Sequence, residues 1–380
     1  MALAAAAGRP HIHIVEVLVY RVELPLYEGS YKWSGGRSVD VFDSTIVQLR
    51  TNRGIDGLGE VTPLGPAYLP AYAEGVRTGI QQLVPHILGE DPTQVVKMNE
   101  IMDGALMGHE YVKSAIDIAC WDILGKLAEQ PVCVLLGGRF GQTLPLYRAI
   151  SQEDPESMAA RVAEYREQGY HRFQLKAGGT VAEDVARIRA VASVLDTSTD
   201  TLIVDANRGW SLHDAARVLL AIKDLDVYVE QPCRTYAECL AVRRRTSQPF
   251  ILDESIDSIE ALLLAHKDGA MDCVNIKISK LGGLTKARQL RDLCVSLGYA
   301  MIIEDTWGSD VATAAIAHLA QSTPERALFA TTDFNSYVTL QTARGAPVRN
   351  AGTIKASTEV GLGIELKMDT VGEPVFAMGI

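Results

Sequence analysis

The chain has 380 residues, 47% of them hydrophobic, enough for one large domain or two around a sizeable core. Its formal net charge of −11 argues against a nucleic-acid partner, which would want a basic face, and no apolar run approaches membrane-spanning length. Six cysteines (Cys120, Cys133, Cys233, Cys239, Cys273 and Cys294) show neither CxxC nor zinc-like spacing, which reads as reduced thiols in a cytoplasmic protein.

The opening Met1 to Ala7 is apolar but short and lacks a basic lead, so it reads as a frayed tail rather than a signal peptide. Alternation predicts strands from His13 to Arg21 and from Phe42 to Thr51. Between them Pro25 to Arg37 is a long loop rich in glycine and aromatics, expected to act as a lid, since Tyr31 and Trp33 gain little from staying in water. Asn52-Arg53-Gly54 signals a turn, and Gly57 to Glu60 ends a further strand. Helices are expected at Ala71 to Leu88, Pro92 to Leu106 and Val112 to Leu127. The third is apolar nearly all round and therefore buried, with Asp117 and Asp122 as structural hydrogen-bond formers.

Beyond Gly137-Gly138 the rhythm changes. Short apolar runs alternate with helical segments, from Leu144 to Ile150 through to a close near Leu328 to Thr332, the pattern of a closed (β/α) barrel. Several runs end in a charge: Phe173 to Lys176, Ile203 to Asp205, Val227 to Glu230, Ile251 to Asp253, and Val274 to Lys277. Barrel strands deliver their C-terminal ends to one mouth, so Asp205, Glu230 and Asp253 converge there. Three like charges repel unless a cation sits among them, and an all-oxygen set with room for water and substrate suits Mg²⁺ better than zinc. Lys176 and Lys277 lie on strands flanking the three acids, so they are expected to face each other across the metal, with pKa values lowered by it. Lys280 points away from Lys277 if strand alternation continues, and pairs with Glu254 or adds to the local field. His318 reads as a packed, satisfied histidine and His109 as a cap or loop residue.

These segments resemble the enolase superfamily, in the branch of muconate lactonizing enzymes, dipeptide epimerases and proline-betaine epimerases. The resemblance rests on Gln174-Leu175-Lys176, Val204-Asp205-Ala206-Asn207, Val229-Glu230-Gln231-Pro232, Leu252-Asp253-Glu254-Ser255 and Asn275 to Gly283. It implies an α/β fold: a modified TIM barrel, (β/α)7β, with an α+β N-terminal capping domain. Residues 1–140 would form that domain, with a lid at about 25–40; residues 141–350 the barrel; and residues 351–380 a segment returning to the cap. It also implies proton abstraction beside a substrate carboxylate, with Lys176 and Lys277 as catalysts and Mg²⁺ on the three acids. That use of a Lys base with Mg²⁺ stabilising an ene-diolate is a general description of enolase-superfamily sites. Gln174 departs from the family's Lys-x-Lys, and no histidine stands where the mandelate-racemase branch carries one, after Asp305 to Asp310.

Motifs around Lys176, Glu230 and Trp307 look most like the subgroup acting on proline derivatives. Tyr31, Trp33 and Trp307 would suit a quaternary betaine nitrogen. Asp333, with Thr331 and Thr332, would suit a ring nitrogen that donates hydrogen bonds, and Asn207 would also meet the substrate. Dehydration of cis-3-hydroxy-L-proline is the favoured expectation. Epimerisation of proline betaine or a related amino acid is the alternative, followed by dipeptide epimerase and muconate cycloisomerase. A non-catalytic barrel is remote, because all three acids and both lysines are present. The expected partners are a small carboxylate substrate and a second copy of the chain, with neither nucleic acid nor membrane.

Overall fold

The computed structural model describes residues 11–380; the expected tail at Met1 to Ala7 lies outside the described residues. Two bodies meet along one buried helix. The first is an antiparallel sheet in the order Phe376–Gly379, Ile14–Pro25, Val41–Thr51, Asp56–Val61. Its outer strand comes from the C-terminus, where Val17 pairs with Met378. Helices Ala73–Ile87 and Glu110–Leu127 pack on this sheet, and Val95–Ala105 packs against both helices.

The third helix carries the junction. Ile116, Ala119, Cys120 and Ile123 enter the core under the sheet, whereas Ile118 and Trp121 enter the barrel's core. The sheet can come this close because Gly57 and Gly59 face the helix; a Cβ there would stand 2.1 Å from the Ala119 carbonyl and 1.8 Å from that of Ala115. Asp117 reaches across to accept from the Thr285 backbone N–H and hydroxyl, and from the Asn99 amide. Asp122 accepts from the backbone N–H groups of Leu58 and Leu362 and from Lys126. Both acids are thus hydrogen-bond formers of the junction.

The second body is a ring of eight parallel strands: Arg148–Ile150, Arg172–Lys176, Thr201–Asp205, Tyr228–Glu230, Phe250–Leu252, Cys273–Lys277, Ala300–Glu304 and Leu328–Thr331. Each strand pairs with its sequence neighbours. A parallel bridge between Leu146 and Thr331 joins the two ends, supported by a hydrogen bond from the Tyr147 N–H to the Thr331 carbonyl. Seven long helices lie between the eight strands, giving (β/α)7β. Local sequence fixes where several begin. Asp154, Ser211 and Ser258 cap theirs by accepting from the third helical N–H, and Thr180 with Glu183 and Thr235 with Glu238 form capping boxes.

The expected lid is not an open loop. Ile14–Pro25 extends past Arg21, and Tyr31–Trp33 pairs with Arg37–Val39 as a small hairpin over the barrel mouth. Ser34 donates to the Asn207 carbonyl, and its Cβ would lie 2.5 Å from a Cβ on Gly178, so a side chain at position 178 would push the hairpin away. At the hairpin's foot, Arg148 donates to Glu28 at 2.8 Å, Tyr165 donates to both Glu28 oxygens, and the Tyr27 N–H donates to the Tyr337 carbonyl.

Candidate functional site

Register brings the charged strand ends together. Lys176 stands opposite Asp205, and Asp205 opposite Glu230. Glu230 stands opposite Ile251, two residues short of Asp253, and the period of two keeps Asp253 on the inner face. Lys277 stands opposite Glu304. All these side chains are buried at the strands' C-terminal mouth.

The hydrogen bonds alternate in sign. Lys176 donates to Asp205 at 2.6 Å, and Lys277 to Asp253 at 2.9 Å and Glu304 at 3.2 Å. Glu230 accepts from the Gln174 amide at 2.8 Å and the Asn275 amide at 2.7 Å. Gln174, standing where the family's first lysine is expected, therefore touches the central acid rather than Lys176. Burial opposes charge on Lys176, but the Asp205 carboxylate outweighs it and holds the ammonium above the ordinary lysine range; Lys277 is likewise raised, by Asp253. The lowering expected from sequence belongs to the metal-bound state; without the ion, the carboxylates hold both ammoniums up. Burial and then Lys277 and Lys280 act on Asp253, with a net lowering, whereas Glu230 is pushed well up by burial and by the charges of Asp205 and Asp253.

Among the described residues, no group of three or more His, Cys, Asp or Glu side chains converges as a cation cage. The lysines and amides hold the carboxylate oxygens instead. The donor set nevertheless fits a hard divalent ion. Six buried carboxylates (Asp205, Glu230, Asp253, Glu254, Glu304 and Asp305) face three buried lysines (Lys176, Lys277 and Lys280), an excess of negative charge in a low-dielectric place. Glu254 shows the excess most directly. Neither of its oxygens has a hydrogen-bond partner, Arg208 stands 3.7 Å away, and burial with the Asp253 charge pushes its pKa up to about 8.

Three placements differ from those expected. Lys280 does not pair with Glu254; it donates to the Asp253 carbonyl at 2.5 Å and to Asp253 Oδ1 at 2.9 Å. The chain turns into a helical segment, Ile278–Leu281, directly after Lys277, so strand alternation stops there. Asp333 does not line the cavity. It is buried against Tyr170, whose hydroxyl donates to it, because the last strand ends at Thr331 and the chain turns away. Trp33 lines an outer vestibule of about 470 Å³ with Arg37, Arg208 and Arg234.

The inner cavity is tight, about 20 Å³ in volume, and is lined by Lys176, Lys277, Gln174, Asn207, Tyr31, Trp307, Glu304 and Asp305, among others. Asn207 has a left-handed backbone, φ 42°, and its side-chain oxygen is unpartnered. Tyr68, Tyr147, Asn275 and Glu304 were not singled out from sequence. Tyr68 donates to Asp253 at 2.8 Å and accepts from Lys277 at 2.5 Å, and nothing in its loop of prolines and alanines announces this. Glu304 carried the same strand-end signal as the other acids. His318 is packed and satisfied: its Nδ1 accepts from the Cys133 N–H, Nε2 faces the Leu362 carbonyl at 3.2 Å, and burial lowers its pKa to about 4. His109 occupies the N-cap position of Glu110–Leu127 without a capping side-chain bond.

Residues 36–137 match the mandelate racemase / muconate lactonizing enzyme N-terminal domain family, and residues 157–370 the enolase C-terminal domain-like family. The chain belongs to the enolase superfamily. This superfamily member is 54% identical over 362 residues to a cis-3-hydroxy-L-proline dehydratase of Roseibium aggregatum, covering 95% of this chain and 98% of that one. It is 31% identical to the N-succinyl-L-Arg/Lys racemase of Bacillus cereus, over 95% and 97% of the two chains. A mandelate racemase/muconate lactonizing enzyme structure from Roseovarius nubinhibens superposes with a TM-score of 0.94 at 38% identity, over 97% and 99% of the chains. Another from that organism, complexed with magnesium, superposes at 0.93 with 36% identity, over 97% and 100%. The chain is an enzyme of this superfamily, whose relatives include dehydratases, racemases, epimerases and cycloisomerases. Among the described residues no helix is long and apolar enough to cross a membrane.

Proposed function

We propose that this chain dehydrates cis-3-hydroxy-L-proline in a Mg²⁺-dependent reaction, with Lys176 and Lys277 as its proton-transfer groups. One observation carries the reading: the two lysines line one cavity, on strands that flank the three strands ending in Asp205, Glu230 and Asp253. Those three acids would hold the metal. The ion would supply positive charge where the enediolate forms and, by taking Asp205 and Asp253, relieve the lysines of their counter-charges.

The protein's own groups do the rest. One lysine takes the Cα proton, the electron pair forms the Cα–Cβ double bond, and the hydroxyl on Cβ leaves as water with a proton from the second lysine. Tyr68 fixes Lys277 beside Asp253, and the lid hairpin shields the mouth from solvent.

The aromatic side chains speak against a betaine. Trp307 is stacked between Phe42, with centroids 4.2 Å apart, and Phe334, at 4.9 Å. Neither face is open to a quaternary ammonium. The rings of Tyr31 and Tyr68 face the ammoniums of Lys176 and Lys277. Identity of 54% to the Roseibium aggregatum dehydratase supports the same substrate. A racemase or epimerase reading is favoured by the lysine pair itself, since one group can remove a proton and the other return it on the far side.

Proton NMR in deuterium oxide separates the two. The expected result with cis-3-hydroxy-L-proline is joint loss of the α and β signals with water elimination, abolished by a chelator and restored by Mg²⁺. Deuterium at Cα without elimination would replace the dehydratase by an epimerase, and full activity after chelation would sink the metal assignment.

A further inference from the structure

The cavity has two chemically different ends around Lys277, and the second has no part in the steps above. Lys277 Nζ lies 2.9 Å from Asp253 Oδ2 and 3.2 Å from Glu304 Oε1. A substrate Cα presented to this lysine carries a carboxylate, a nitrogen, a β-carbon and the proton to be removed. If the carboxylate lies toward Asp253 and the proton toward Nζ, the substituent reaching the Glu304 side is the nitrogen or the β-carbon. Both can donate to a carboxylate, the β-carbon through its hydroxyl, but only the protonated nitrogen is a cation whose burial needs a compensating charge.

We propose that Glu304 is the acceptor for the substrate's ring nitrogen, a subsite for a protonated secondary amine. This deepens the reading above and rests on it for the placing of Cα beside Lys277. Glu304 and Asp305 are the carboxylates that line this cavity; the three acids proposed for the metal lie behind Lys176 and Lys277 and do not line it. Asp305 is committed elsewhere: it accepts from the Ser279 N–H and hydroxyl and from the Thr306 N–H. Glu304 is set differently. Oε1 accepts from the Asn275 amide at 2.7 Å and from Lys277, and Oε2 accepts from the Tyr147 hydroxyl. Two carboxylate oxygens offer about four lone-pair sites, so three donors leave one for a further N–H, and movement of Lys277 toward substrate frees another. Asn275 also donates to Glu230, so a single amide spaces the amine acceptor from the central acid of the row.

Asp333, the acceptor expected from sequence, is turned to Tyr170 and does not line the cavity. Asn207 is the rival. Its side-chain oxygen is unpartnered and it lines the same cavity, but it follows Asp205, on the Lys176 side, and it carries no charge. A cation buried with a neutral amide loses more solvation than it regains, whereas a carboxylate compensates it.

The test compares two ligands that differ in one ring atom, L-proline and tetrahydrofuran-2-carboxylate, by calorimetry on the magnesium-loaded enzyme. A site built to hydrogen-bond an N–H rejects an isostere lacking it strongly, so proline is expected to bind at least roughly 10²-fold tighter to the wild type. Glu304→Gln should erase most of that gap while leaving the ether's affinity within about twofold. Glu304→Asp keeps the charge one methylene short and should keep a reduced gap, which also serves if the Gln variant folds poorly. Equal weakening of both ligands in either variant would overturn the proposal, because that is what mere displacement of Lys277 predicts. So would a wild type with no preference for proline, or loss of the gap in Asn207→Ala instead. Because binding is read without turnover, a failed dehydration assay with an intact proline gap would discard the reaction and keep the subsite.

Discussion

Two sets of buried acids sit in this molecule, and they are neutralised in opposite ways. At the junction of cap and barrel, Asp117, Asp122 and Glu60 lean on fixed backbone donors: Thr285 for the first, Leu58 and Leu362 for the second, Ser309 and Ala312 for the third. Burial raises the pKa of all three; the Thr285 hydroxyl, the Lys126 ammonium and the Ser44 hydroxyl oppose it most in turn, and the backbone N–H groups add to them. At the mouth, Asp205 and Asp253 are met by lysine ammoniums, and Glu230 by two side-chain amides. A backbone N–H cannot leave without the chain moving, but a lysine can swing. Beside Lys126, the junction acids therefore keep donors that stay, whereas the mouth acids, apart from the Asn207 N–H on Asp205, meet partners that can exchange.

Changing each set should separate activity from stability. Lys176→Ala or Lys277→Ala is expected to lower turnover by roughly 10²–10⁴-fold with the circular dichroism spectrum unchanged. Each variant should retain α-deuterium exchange on one face only, and wild-type rates in either would remove that lysine from the chemistry. Asp122→Ala should do the reverse, because two backbone N–H groups and Lys126 lose their acceptor inside the junction. A loss of about 3 kcal/mol in denaturant stability is expected, with kcat of the folded fraction unchanged.

His318 gives the junction a pH signature. Its folded pKa of about 4 lies below the unfolded value of 6.5, so below 6.5 the unfolded chain binds the extra proton and the folded one does not. Stability from this group is present above about pH 6.5 and lost as pH falls toward 4, by roughly 3 kcal/mol in all. Urea titrations of the wild type and His318→Gln across that window should show a shallower decline in the variant; identical slopes would mean that other groups set it. The smallest effect is reserved for Lys280→Met, about tenfold in kcat/KM, because Lys280 braces Asp253 without lining the inner cavity. An unchanged kcat/KM would restore the expectation drawn from strand alternation.

Lys280 also marks where sequence reasoning stops. Asp205, Glu230 and Lys277 were legible because each ends an apolar β run, and a parallel barrel sends every such end to one mouth. The periodicity holds only while the strand lasts. Beyond Lys277 the chain coils, with Gly282 at φ 97° and Gly283 at φ 125°, and the side of Lys280 can no longer be counted off. Asp333 was misplaced for the same reason, two residues past the last strand. Tyr68 had no periodic signal at all, since it comes from an irregular segment of the other body and meets the mouth only through tertiary packing. Glu304 ends an apolar run as the other acids do and was legible by the same rule.

Arg148 has a consequence for how the lid can change. Its guanidinium lies over the Tyr337 ring at 3.6 Å, within the barrel, and its ion-pair partner Glu28 belongs to the foot of the hairpin. Lifting that foot would strand a cation in a medium that cannot solvate it. Residues 31–37 are held by Ser34 on the Asn207 carbonyl and by Tyr31 against Lys176 but by no ion pair, and are joined to the foot through Gly29, at φ 81°. The loop is therefore a fixed stem with an exchangeable head: its tip can be rewritten to admit a different ring while the stem keeps every version seated over the same two lysines.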